Sequence, residues 1–166
     1  MGVSPIEFDS NMYREVLGHF PTGVTVISAL DQESPVGLAV GSFFSVSLDP
    51  PLVGFCADKG STTFPKIRRA GRFCVNILAE DQHETSNRFA GKGEDKYQGI
   101  EWEPSHVTGS PMIKGSLAHI DCELENVHEA GDHFIALGRV KALEAVRSDT
   151  GPLLFFKGRY GSHSDM

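Results

Sequence analysis

The densest run of small hydrogen-bonding side chains in the 166-residue sequence is Ser42-Phe43-Phe44-Ser45-Val46-Ser47, followed by Leu48-Asp49-Pro50-Pro51-Leu52. Hydroxyls at the end of a strand, where backbone N–H groups are also leaving the ladder, suit a phosphate or the edge of a planar heterocycle. A second cluster, Ser61-Thr62-Thr63, opens an expected helix, where free N–H groups and the helix dipole favour an anion. Each cluster alone also reads as ordinary turn or capping chemistry. Their weight comes from standing at either side of a single short strand.

Other chemistries lack their residues. The sequence contains no GxSxG elbow, HExxH helix, GxxxxGK[ST] phosphate loop or GxGxxG dinucleotide turn. His128 and His133 are five apart but flank a turn, so no metal site is expected. Cys56, Cys74 and Cys122 form no CxxC pair and read as buried thiols in a reducing compartment. With 15 Lys and Arg against 22 Asp and Glu the net charge is -7, which argues against nucleic acid and an anionic membrane surface as partners. A small anion needs only a local site, so the chemistry is expected to belong to a bound organic cofactor.

The elements that must position these groups are short. Ser10 to His19 reads as a helix capped by Asp9 or Ser10, with Met12, Val16, Leu17 and Phe20 at helical spacing and Pro21 as its stop. Thr22 to Leu30 reads as a strand, Asp31 to Pro35 as a turn, and Val36 to Ser47 as a second strand interrupted by Gly41. A glycine there marks a bulge or a close approach to the backbone. Leu52 to Ala57 is a third strand. Ser61 to Ala70 is a helix with Pro65 in its first turn and Gly71 as its stop, and Phe73 to Leu78 is a fourth strand. Asp81 to about Ala90 is a helix with Glu84 as a capping-box partner.

Gly91 to Pro111 is a polar stretch, either a functional loop or the host of a small element, with Tyr97 and Trp102 as anchors. From Gly115 to His128 the residues alternate: Ala118, Ile120, Cys122 and Leu124 face one way, His119, Asp121, Glu123 and Glu125 the other. Gly131-Asp132 turns the chain into a return strand, His133 to Leu143, and Leu153 to Tyr160 is the last strand. Lys66, Arg68, Arg69 and Arg72 read as a solvated helix face. Frequent turns, marked by 18 Gly and 9 Pro, predict a mainly β single domain over residues 1–166: an antiparallel barrel of six or seven strands with two or three short helices, closed to protect its edges. Met1 to Ser10 has neither a basic nor an apolar leader region, Ile6 breaks the acylation pattern that Gly2 would begin, and no apolar run approaches the ~20 residues of a membrane span. A soluble, cytoplasmic protein is expected.

Several segments together resemble the short-chain flavin reductase family, the reductase components of two-component flavin-dependent monooxygenases. They are Phe20-Pro21-Thr22-Gly23-Val24-Thr25-Val26, Ser42 to Leu52, Ser61-Thr62-Thr63, Val75-Asn76-Ile77-Leu78 with Gln82, Phe89-Ala90, Gly131-Asp132-His133 with Gly138-Arg139-Val140, and Leu153 to Tyr160. In order they run from about Met12 to Tyr160. The resemblance implies a flavin-binding split β-barrel. It places Val40, Gly41 and Ser42 along the isoalloxazine edge and assigns the ribityl phosphate to Ser45, Val46 and Ser47 with Ser61 and Thr62. Phe89 packs near the flavin, and Phe43, Thr63 and Ala90 complete the cofactor-binding set. Relatives often carry Thr and Asn within the segment that here reads Gly37-Leu38-Ala39-Val40-Gly41, so backbone contacts to the ring carry more of the recognition. The implied reaction is hydride transfer from NADH or NADPH to FMN or FAD, with reduced flavin passing to a separate monooxygenase. His133 is assigned to positioning the nicotinamide, Arg159 and Tyr160 to contacting the dinucleotide, and a homodimer is expected. The alternatives are a non-catalytic flavin-binding electron carrier and an FMN-dependent oxidase on the same barrel.

Overall fold

A computed structural model describes residues 7–93 and 95–166; the leader and acylation readings at Gly2 and Ile6 lie outside them. Helix α1 (Ser10–Leu17) starts at Asp9, whose carboxylate accepts the Met12 N–H at 2.8 Å. Its apolar side chains have the expected spacing, yet none is buried. Among the described residues no helix is long and apolar enough to cross a membrane.

The chain then builds β1 (Thr22–Gly23), β2 (Thr25–Asp31), β3 (Ser34–Val40), β4 (Phe44–Ser47), β5 (Leu52–Asp58), α2 (Phe64–Ala70) and β6 (Arg72–Ile77). Helix α3 (His83–Ala90), the small hairpin β7 (Trp102–Pro104) and β8 (Pro111–Ile113), the long hairpin β9 (Ala118–Ala130) and β10 (His133–Ala145), and a last hairpin β11 (Leu154–Phe156) and β12 (Arg159–Gly161) complete it. Seven strands form one sheet in the order β3-β2-β6-β9-β10-β5-β4, every pairing antiparallel.

The edge strands β3 and β4 are consecutive in sequence, joined only by Gly41–Phe43. In a flat sheet six inter-strand spacings of ~4.8 Å would hold those edges roughly 29 Å apart. The four steps from Val40 to Phe44 reach about 14 Å at most. The sheet must therefore curl until its edges nearly meet, leaving a seam. Ser42 closes one end of that seam: its Oγ accepts the Cys56 N–H at 2.9 Å and donates to the Cys56 carbonyl at 3.0 Å, replacing a strand partner for β5.

Inside the barrel Ile27, Phe55, Phe73, Val75 and Ala136 pack with Phe64 and Ile67 of α2. Phe55 meets Phe64 and Phe73 edge-on, with centroids 6.0 and 5.3 Å apart. A second core lies outside it, where Val24, Val26, Leu78, Phe89, Ile113 and Leu153 come together. Strand β2 is thus buried on both faces, which explains its unbroken β-branched run.

Four expectations change. Val36 to Ser47 is two strands on opposite edges, because closing the barrel requires a corner at Gly41–Phe43. Leu153 to Tyr160 is a hairpin, turned at Lys157 (φ 48°) and Gly158 (φ 76°), with β11 pairing β1. The turn before α3 is closed by Gln82, whose Oε1 accepts the Ala79 N–H at 3.0 Å, while Asp81 is held by Arg147 at 2.7 Å. The polar face of β9 is not wholly solvated: His119 and Asp121 are buried beneath the segment carrying β7 and β8.

Candidate functional site

Beyond Ser42 the seam opens into a cleft of about 690 Å³. One wall is the outer edge of β3, with Val36, Gly37 and Leu38. The facing wall is the turn from β5 into α2, with Asp58, Ser61, Thr62, Thr63 and Lys66. The end of α3 and the segment after it supply Ala90, Lys96 and Tyr97. An apolar strand face, a band of hydroxyls and two lysines thus border one space.

The turn is rigidly wired. Asp58 Oδ1 accepts the Gly60 N–H at 2.6 Å, and Ser61 Oγ accepts the N–H groups of Thr63 and Phe64 at 3.2 and 3.1 Å. Ser61 therefore serves as the cap of α2 while retaining its own O–H for a ligand. Thr62 is exposed, and its hydroxyl has no hydrogen-bond partner among the described residues. Thr63 is buried and its Oγ1 accepts from the Lys96 ammonium at 3.5 Å. Burial, with Lys66 close by, pushes the Lys96 pKa below the usual lysine value.

Gly37 owes its place to packing. A Cβ there would lie 2.5 Å from the Phe89 ring. Phe89 is fully buried behind the β3 wall and meets Tyr97 edge-on at 4.9 Å. Tyr97 in turn donates to the Val36 carbonyl at 2.9 Å, the anchoring role expected of it. Phe89 therefore shapes the cleft from behind, whereas its neighbour Ala90 borders it.

His133 opens β10 directly opposite Asp58 on β5. The turn before it is tied to the cleft turn by the Lys59 N–H, which donates to the Asp132 carbonyl at 3.0 Å. The ring Nδ1 lies 2.7 Å from Asp132 Oδ1. That hydrogen bond holds the Asp132 carboxyl below its ordinary range. A carboxylate only accepts, so Nδ1 carries the proton and Nε2 is the ring atom left for a ligand at the cleft rim.

The remaining expected residues fall in two places. Ser45, Val46 and Ser47 lie on β4, paired to Val53 and Leu52 at the far end of β5, with an irregular register at Val46. Five residues of β5, roughly 17 Å, separate them from the cleft turn. The Ser45 and Ser47 hydroxyls have no hydrogen-bond partner among the described residues. Between the two sites, Val40 accepts from Thr25 Oγ1 at 3.2 Å, and Phe43 packs on the barrel core. A Cβ on Gly41 would sit 2.9 Å from Thr22 Oγ1, so what approaches that backbone is β1. Arg159 and Tyr160 are not brought to the cleft: Tyr160 bonds Ser86 and Asn87 of α3 at 2.8 and 2.9 Å, and Arg159 is exposed on β12.

Sequence reasoning missed the two cleft lysines. Lys66 sits three residues beyond Thr63, a spacing that puts both on one side of a helix, and that signal was there to be read. Of the other cations on α2, Arg69 is held by Asp31, and Arg68 lies 5.7 Å from the Phe134 ring centroid. Lys96 had no signal, being one lysine in a polar stretch.

Over residues 17–164 the chain matches the flavin reductase like domain. It is 51% identical over 152 residues to the flavin-dependent monooxygenase reductase subunit HsaB of Rhodococcus jostii, across 92% of this chain and 77% of that protein. Among solved structures, the nitrilotriacetate monooxygenase component B homologue from Mycobacterium thermoresistibile is 49% identical, with a TM-score of 0.89 over 93% of this chain and 86% of that one. The Streptomyces globisporus NADH:FAD oxidoreductase SgcE6, in complex with NAD and FAD fragments, is 33% identical with a TM-score of 0.88, covering 94% and 93% of the two chains. Identity at this level over 92% of the chain, joined to the same backbone course, settles its membership: the chain belongs to the flavin reductase-like family.

Proposed function

We propose that the protein is an NAD(P)H-dependent flavin reductase that takes FMN or FAD into the barrel seam and supplies reduced flavin to a separate monooxygenase. The observation that carries this reading is the cleft itself. In a chain of net charge -7, the open end of the seam gathers Lys66 and Lys96 with the hydroxyls of Ser61, Thr62 and Thr63 beside an apolar β3 edge. That donor set fits a ligand with an anionic end and an apolar body. The flavin, when bound, supplies the two-electron acceptor and the nicotinamide supplies the hydride.

The chain's own residues bind and orient. Ser45 and Ser47 offer hydroxyls along the upper seam, the turn from Ser61 to Thr63 holds phosphate, and Phe89 with Tyr97 keeps the β3 wall in place. His133 Nε2 steadies the nicotinamide at the rim, at a level beside the cleft turn that β10 fixes. No nucleophile is needed for hydride transfer between two rings held at reactive distance.

The functional unit is a cytoplasmic homodimer. Its support is the exposed apolar face of α1, which continues onto the last hairpin where the Lys157 N–H donates to the Gly18 carbonyl at 3.0 Å. The deciding experiment mixes the protein with NADH and FMN or FAD and follows nicotinamide absorbance. Flavin-dependent NADH loss is expected; flavin binding without turnover would identify a carrier instead.

A further inference from the structure

The ammonium of Lys96 sits where three walls of the cleft meet. It donates to the Phe89 carbonyl at the end of α3 (3.0 Å), to the Gly37 carbonyl on β3 (3.3 Å) and to Thr63 Oγ1 before α2 (3.5 Å). All three acceptors are neutral. The cleft's Asp58 has one carboxylate oxygen engaged by the Gly60 N–H at 2.6 Å. Burial and the neighbouring Lys66 both work against the Lys96 charge, so a negative group seated between the two lysines offsets a cost already built into the fold.

Thr63 completes the arrangement. A hydroxyl oxygen that accepts from an ammonium keeps its own proton to donate, and the positive neighbour makes it a stronger donor. Val36 and Leu38 extend the same cleft as an apolar surface away from the lysines. The space therefore has a charged end and an apolar end.

We propose that Lys96 is the phosphate-selecting positioning residue of this site: acting through Thr63 and together with Lys66, it seats the phosphate monoester of a flavin nucleotide and discriminates against the same flavin without phosphate. The inference rests on the flavin reading above. It separates from that reading because riboflavin shares the ring of FMN and lacks only the phosphate. The phosphates of a dinucleotide carry similar chemistry, and the test distinguishes the two.

FMN and riboflavin are titrated by flavin fluorescence, without nicotinamide, into the wild-type protein and the Lys96→Met, Lys96→Arg and Thr63→Val variants. Wild-type protein should prefer FMN, and Lys96→Met should lose roughly tenfold in FMN affinity, the scale of one charge-assisted hydrogen bond, with riboflavin affinity held to within about twofold. Lys96→Arg should restore much of the preference, and Thr63→Val should lose part of it. Equal losses for both flavins in Lys96→Met would mean that the lysine only props the cleft open, and would overturn the proposal. If Lys96→Met does not fold, an unchanged FMN preference in Thr63→Val overturns it equally. A raised KM for NADH with the flavin preference intact would assign the charge to the dinucleotide and also overturn it. Wild-type protein that binds both flavins equally sinks this inference alone; wild-type protein that binds neither sinks the flavin reading with it.

Discussion

At the scale of single residues, the side chains with the most to do are those whose partners leave one atom unused. His133 spends Nδ1 on Asp132 and keeps Nε2 for the rim. His133→Ala should cut kcat/KM for NADH by roughly ten- to a hundredfold, the cost of a mispositioned reactant, while flavin affinity stays nearly constant. A flavin titration beside steady-state kinetics checks this, and a loss of flavin affinity would move His133 to the flavin site. Ser42 is the opposite case. Both functions of its hydroxyl are spent on the Cys56 backbone, so its part is to hold the seam. Ser42→Ala should cost about 1–3 kcal/mol, the penalty for orphaning a partly buried backbone group. An unchanged urea midpoint would show that the seam does not need it. The serines at 42, 45 and 47 look alike in sequence; only the register against β5 separates the structural one from the two with free hydroxyls.

At the scale of elements, the segment carrying β7 and β8 is held down by a buried polar network. Asn76 donates to the Val26 carbonyl and Ser28 Oγ at 3.0 and 2.9 Å, and its Oδ1 accepts the Ile113 N–H at 2.8 Å. His119 Nδ1, 3.0 Å from the same Oδ1, must therefore be the donor. Burial lowers the His119 pKa below 6.5, outweighing the opposite pull of Glu144 and Glu103. A histidine neutral in the fold and free to protonate when unfolded contributes stability fully above pH 6.5, and that stability is lost as pH falls below this value. Urea denaturation between pH 7.5 and pH 5.5 (roughly one unit either side of a normal histidine pKa) should show a stability loss that His119→Gln reduces. Identical slopes in the two proteins would clear His119 of this role. The alternation along β9 marked His119 and Asp121 as outward-facing, and they are. Their burial comes from a segment that crosses over them, which no local pattern announces.

At the scale of the whole molecule, charge and apolar surface are both unevenly spread. Met12, Val16, Leu17 and Phe20 are 52–74% exposed, and Phe155 and Phe156 of the adjoining hairpin are 40% and 44% exposed. Single exposed apolar side chains are ordinary; a contiguous set on one helix and its neighbour marks an interface. Sedimentation should give a mass near twice 18.0 kDa, and Val16→Asp with Leu17→Asp should shift it to the monomer without unfolding the barrel. A wild-type monomer at micromolar concentration would remove the dimer from the proposal. The cleft lysines set the other asymmetry, giving a small anion a positive site on an acidic protein.

Much of the fold could be read from local patterns, because strand alternation, helix spacing and turn glycines are properties of neighbouring residues. The end of α2 at Gly71, in the left-handed region at φ 70°, and the Gly131 turn at φ 63° were both legible on that ground. The hydroxyl clusters were legible as residue types. Where they stand was not. Gly41–Phe43 becomes a corner only because barrel closure places β3 and β4 on opposite edges. Lys96 becomes the meeting point of three walls only because α3, β3 and the turn into α2 converge on it. The sequence by itself determined which elements form and which groups can donate or accept; tertiary structure decided which of those groups are already spent on the backbone and which face the cleft, because that depends on contacts between residues far apart in the chain.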